Sequence, residues 1–218
     1  MNDDSQARDA GSAAVPPPIF IEAQALAFAH PGQAMPLLGP LSFTIKPGLS
    51  LLRGGDGRGK TSLLRLLAGR LTPRAGALHR QPALSLCFES PEEAEHDPVN
   101  ARVWLSGRQA RFPHWQPALA AELVAGFALT EHLDKPLYML STGSRRKLGL
   151  VAAAASAAQL TLLDMPFAAL DGSSRRLLSQ LLAREAANSS RRAWVIADHE
   201  LPASLAGLPW SAQVDLGD

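Results

Sequence analysis

Residues Gly54 to Thr61 read GGDGRGKT, a glycine-rich run closed by lysine and threonine, which is a combination suited to holding phosphate and magnesium. Glycines at 54, 57 and 59 let the backbone wrap closely and aim successive N–H groups at phosphate oxygens, at the positive end of the helix that follows. Lys60 adds a point charge able to reach the β- and γ-phosphates, and the Thr61 hydroxyl is of the type that ligates Mg²⁺. The expected cradle is therefore Gly54, Gly55, Asp56, Gly57, Arg58, Gly59, Lys60 and Thr61, with Ser62 beside them. A second stretch, LTLLDMP at 160–166, ends a largely apolar run in Asp164, which would supply the other protein contact to the metal. Met165 then stands where a nucleotide hydrolase would be expected to carry a second acid. Methionine cannot accept a proton from water, and a positioned base is worth about 10²–10⁴ in rate, so slow hydrolysis is the expectation.

Such a loop needs a buried strand before it and a helix after it. GLSLLRG (48–54) reads as the strand, and KTSLLRLLAGRL places Leu63, Leu64, Leu66 and Leu67 on one helical face with Gly69 near its end. Upstream, IFIEAQALAF (19–28) and LSFTI (41–45) predict an antiparallel sheet. Downstream, ALSLCF (83–88), LTLLD (160–164), RAWVIAD (192–198) and SAQVDLGD (211–218) read as strands, with LGLVAAAASAA (148–158) and SSRRLLSQLLAREAA (173–187) as helices. From about residue 100 to 139 the pattern is helical throughout, clearest in ALAAELVAGFAL (118–129). The fold class expected is α/β: a P-loop NTPase core with a mostly parallel sheet, an N-terminal antiparallel β region and an inserted α-helical lobe at about 90–139. Residues 1–18 read as a disordered leader before a domain covering 19–218.

Composition bounds the rest. At 218 residues and 46% hydrophobic, the chain can bury a sizeable core within one domain. A net charge of +1 argues against a nucleic-acid partner, and the single cysteine, Cys87, excludes a disulfide framework and offers no zinc spacing. The most membrane-like run, Leu148 to Leu163, is shorter than a span and contains Ser156, Gln159 and Thr161. A reducing, cytoplasmic setting is expected, with any membrane connection made through a partner.

Five further stretches, in order, resemble the ATP-binding subunits of ABC transporters. LTPRAG (71–76) looks like the turn after their phosphate-loop helix, and LYMLSTGSRRKLGL (137–150) resembles their LSGGQ signature, with Leu140, Ser141 and Gly143 matching. LTLLDMP resembles their second nucleotide motif and AALD (168–171) their D-loop, while VIADH (195–199) ends in His199, the position of their switch histidine. The resemblance spans nearly all of 19–218 and leans weakly toward the haem-exporter branch. It implies ATP and Mg²⁺ as cofactors and a head-to-tail homo- or heterodimer of ATP-binding subunits. In such a dimer Ser141 and Gly143 of one subunit close over ATP on the other's Lys60 loop, Asp171 lies at the dimer contact, and His199 senses the γ-phosphate. It further implies Phe28 as the ring that stacks on adenine, although its apolar run with Leu26 equally suits a core position, and an integral membrane subunit docked on the helical lobe that holds the chain at the inner face of the membrane. Arg145, Arg146 and Lys147 read as a solvated face of the signature helix rather than as phosphate ligands.

The departures from that pattern are Thr142 and Ser144 in the signature, Glu89 or Ser90 where a glutamine is expected, and Met165. Glu89 is a candidate substitute acid. Two functions are carried forward: an ABC-type ATPase subunit weakened at position 165, and an ATP-gated dimerising subunit with negligible turnover.

Overall fold

The computed structural model describes residues 16–88, 93–188 and 191–217. Residues 1–15, most of the expected leader, and Glu89 lie outside that set. Five strands make a wholly parallel sheet in the order β5-β6-β7-β3-β8: β3 (Gly48–Arg53), β5 (Leu86–Cys87), β6 (Leu160–Asp164), β7 (Ala193–Asp198) and β8 (Trp210–Asp215). Three more, β1 (Ile21–Phe28), β2 (Leu38–Ile45) and β4 (Ala75–Arg80), form a separate antiparallel sheet in the order β2-β1-β4.

The central strands β3, β6 and β7 are buried along almost their whole length and mostly apolar, because both faces are covered. In β7, Ala193, Val195 and Ala197 enter one core while Trp194 and Ile196 enter the other, which is the two-residue alternation of a pleated strand. The first core is closed by α1 (Lys60–Leu67), whose Leu63, Leu64, Leu66 and Leu67 are each fully buried, and by the antiparallel sheet. Each such leucine contributes about 1.5–3 kcal/mol relative to exposure. The second core lies under α4 (Thr142–Ala155) and α5 (Gly172–Ala187). Between β5 and α4 run α2 (Ala101–Arg111) and α3 (Pro117–Gly126), with short 3-10 turns at Thr130–His132 and Leu137–Met139. Trp104, Leu123 and Phe127 root these helices in the second core.

The strand over residues 83–88 is reduced to Leu86–Cys87, and β4 is a strand that the sequence pattern did not announce. β4 exists because it pairs with β1, which bulges between Gln24 and Ala27. Ala25 adopts a left-handed φ of 46° there, its N–H donates to Ser42 Oγ at 2.9 Å, and glycine at 76 lets β4 pass against its carbonyl.

Candidate functional site

The last residue of β3 runs into the glycine loop, which delivers Lys60 at the first turn of α1. Gly57 and Gly59 hold positive φ angles of 75° and 89°, which glycine adopts without strain. At Gly59 a β-carbon would also approach Leu38 Cδ2 to 2.7 Å, whereas at Gly57 the space is open. Gly59 caps α1 with no side-chain hydrogen bond and no acid stands in the first turn, so the helix start remains open to an anion. Lys60 is nearly buried, and its Nζ donates to the carbonyls of Gly54 and Gly55, both at 2.7 Å, curling the loop around the ammonium. The Gly55 N–H is turned outward, donating to the Gly217 carbonyl at 3.0 Å, so β8's tail braces the loop.

From β6, Asp164 Oδ2 accepts a 2.6 Å hydrogen bond from Thr61 Oγ1, although 103 residues separate the two. Asp164 Oδ1 is buried with no partner among the described residues. A hydroxyl and a carboxylate held together, with one carboxylate oxygen left over, is a donor set that fits a hard divalent cation such as Mg²⁺. A cavity of about 300 Å³ opens beside them, lined by Asp56, Gly57, Gly59, Lys60, Thr61, Ser62, His30, Leu37 and Met165. Arg58, Ser141 and His199 are exposed and outside this lining, and half-buried Gly143 lies outside it as well.

Two expectations need correction. Phe28 is 3% exposed and packs in the first core opposite Leu38, so its ring has no open face to offer a base. The aromatic ring at the cavity is His30, half-buried, edge-on to Phe28 at 4.9 Å and bonded through Nε2 to Ser62 Oγ at 3.1 Å. Arg145, Arg146 and Lys147 are not a solvated face. The side chains of Arg145 and Lys147 are each 13% exposed. Arg145 holds the Leu137 carbonyl and Asp97, Arg146 holds the Ala168 carbonyl at 3.0 Å, and Lys147 pairs with Asp171. Ser141 caps α4 by accepting from Ser144 N–H at 3.0 Å, and Gly143 lies so close to the Ala169 carbonyl that a β-carbon would stand 2.5 Å from it. The signature segment and residues 168–171 thus form one interlocked unit.

Asp171 is held far below the usual carboxylate range, first by Lys147 and then by Ser173 and Ser174 as α5's N-cap. Asp198, at the end of β7, is pushed up by burial, against the pull of the His199 and Glu200 N–H groups and the charges of His199 and Lys60. Met165 sits at a left-handed φ of 47°, its N–H donating to the Ala197 carbonyl at 2.8 Å.

The ABC transporter family profile matches residues 38–168. The chain is 33% identical, over 76% of its length and 80% of the relative's, to the cytochrome c biogenesis ATP-binding export protein CcmA of Xylella fastidiosa. It is 32% identical to the CcmA of Hyphomonas neptunium, covering 81% and 86%, and 29% identical to the taurine import ATP-binding protein TauB of Pseudomonas entomophila, covering 75% and 67%. Among solved structures, an ATP-binding subunit of an ABC transporter superposes with TM-score 0.67 at 20% identity, covering 83% of this chain and 79% of that one. CbiO1 from Clostridium perfringens superposes with TM-score 0.60 at 17% identity, covering 84% and 79%.

Proposed function

The chain belongs to the ABC transporter family, and from that premise we propose that it is an ATP-binding subunit coupling Mg-ATP binding and slow hydrolysis to movement of a substrate through a separate integral membrane subunit. The observation that carries this reading is the Thr61–Asp164 hydrogen bond beside the Lys60 loop, which assembles a metal pair and a phosphate loop at one cavity. In this reading the triphosphate takes the open helix start of α1 and draws Lys60 away from the Gly54 and Gly55 carbonyls. Thr61 and Asp164 would hold Mg²⁺, which would supply positive charge to offset that of the phosphates. His30 flanks the base, and Ser141 and Gly143 of a second ATP-binding subunit, identical or different, close the other side.

The relatives at 32–33% identity are export proteins of cytochrome c biogenesis, which favours outward movement of that kind over import. Among the described residues no helix is long and apolar enough to cross a membrane. We therefore assign the membrane step to the partner, which would hold this chain at the cytoplasmic face with the α2–α3 lobe as its docking side. Met165 favours a second reading, in which ATP-driven closure is the signal and turnover is negligible.

The test is Mg-ATP binding and phosphate release by the purified chain and its Lys60→Ala variant across a range of protein concentration. Binding abolished in the variant, with wild-type turnover that rises with concentration, supports the motor; tight binding without turnover supports the gated subunit. Equal, weak binding by both chains would sink the ATP reading altogether.

A further inference from the structure

The buried acid that the reading above leaves without a task is Asp198. It is 3% exposed at the end of β7, the strand lying between the one that carries Asp164 and the one that leads into the phosphate loop. Ala197 is in register with Asp164 and Asp198 with Arg53, and the N–H of Met165 bonds the Ala197 carbonyl. The carboxyl absent from position 165 therefore has a neighbour one strand away. Oδ1 of Asp198 accepts the N–H of His199 at 2.8 Å and lies 3.3 Å from His199 Nδ1, while Oδ2 is buried with no partner among the described residues. A neutral cap would make the same backbone bonds without burying charge, so an acid at this point calls for more than a turn.

We propose that Asp198 is a positioning residue for hydrolysis: by engaging Nδ1 of His199 it leaves Nε2 as the acceptor for the attacking water, standing in for the acid that Met165 lacks. This deepens, and rests on, the reading of the site as an ATPase. A carboxylate bonded to one ring nitrogen selects the tautomer and stabilises the imidazolium that forms when the other takes a proton. The water gives its proton to Nε2 as its oxygen bonds the γ-phosphorus. The bond from that phosphorus to the β,γ-bridging oxygen breaks with its electron pair leaving on ADP, and the proton passes from Nε2 to the products. The charged groups facing Asp198 are His199 and, from the phosphate loop, Lys60.

The experiment compares kcat and KM of phosphate release for Asp198→Asn in the wild-type and Met165→Glu backgrounds, with Mg-ATP binding measured on each. Asparagine retains an acceptor for the backbone bonds, so affinity should hold while kcat falls by about ten- to a hundredfold. With glutamate at 165 the same substitution should cost little. An unchanged kcat, a loss that appears in KM instead of kcat, or an equal loss in both backgrounds overturns the proposal, as does a wild type that binds Mg-ATP and never turns it over. A wild type that binds no Mg-ATP overturns instead the reading on which the proposal rests.

Discussion

Lys147 Nζ and Asp171 Oδ2 stand 2.6 Å apart, joining α4 to the N-cap of α5. Lys147→Ala should lower the melting temperature by a few degrees, and should weaken concentration-dependent turnover more than Mg-ATP affinity. Thermal unfolding and phosphate release measured on one preparation check this; an unchanged melting temperature would make the pair incidental.

The same contact gives a pH signature. Asp171 is depressed in the folded chain, so its contribution is intact above the ordinary carboxylate value of about 4 and is lost progressively as pH falls below it. Asp171→Asn should therefore lower the urea midpoint most at pH 7 and by a somewhat smaller amount near pH 3, the shift shrinking further as pH falls. Equal shifts at both pH values would show that charge is not the cause.

Met165→Glu restores an acid beside Asp164. Turnover should rise, toward the ~10²–10⁴ that a placed base contributes, with little change in Mg-ATP affinity. Phosphate release at saturating ATP measures it. No rise would mean that position 165 does not limit hydrolysis.

Gly143→Ala would place a β-carbon 2.5 Å from the Ala169 carbonyl. The segment must shift, and turnover should fall about 10²-fold, as when a fixed group at a phosphoryl site is displaced. Affinity for ATP on the chain's own loop should hold. A nucleotide titration beside a rate measurement separates the two effects.

His30→Ala should raise the ATP dissociation constant about three- to tenfold through lost ring contact, while Phe28→Leu should cost about 1 kcal/mol of stability and leave affinity alone. Isothermal titration of both variants decides which ring meets the base.

The phosphate loop and Asp164 were legible in the sequence because backbone wrapping and metal ligation require particular residues in a contiguous order. Adjacent positions at a strand's end were harder to tell apart. Phe28 closes β1 with an apolar partner, whereas His30, two residues on, clears the sheet and reaches the cavity. β4 is poor in strand-forming residues and owes its conformation to pairing with a bulged β1, a long-range effect that local pattern does not carry. Arg145 to Lys147 read as solvent-facing because their acceptors, the Leu137 and Ala168 carbonyls and Asp171, are brought near only by the fold. Asp198 carries no local signal within RAWVIAD for the same reason: the strands beside it are far away in the sequence.

The position of β7 between β3 and β6 also governs when the site can come into being. Among the described residues β3 pairs only with β7 and β8, so the strand that leads into the phosphate loop finds its hydrogen-bonded neighbours some 145 residues later in the chain, from Ala193 onward. A nascent or truncated polypeptide ending before that strand would carry every letter of GGDGRGKT and still lack the scaffold that shapes it. Shaping of the loop therefore waits on synthesis of β7, and the sheet order sets the earliest moment at which the cradle can form.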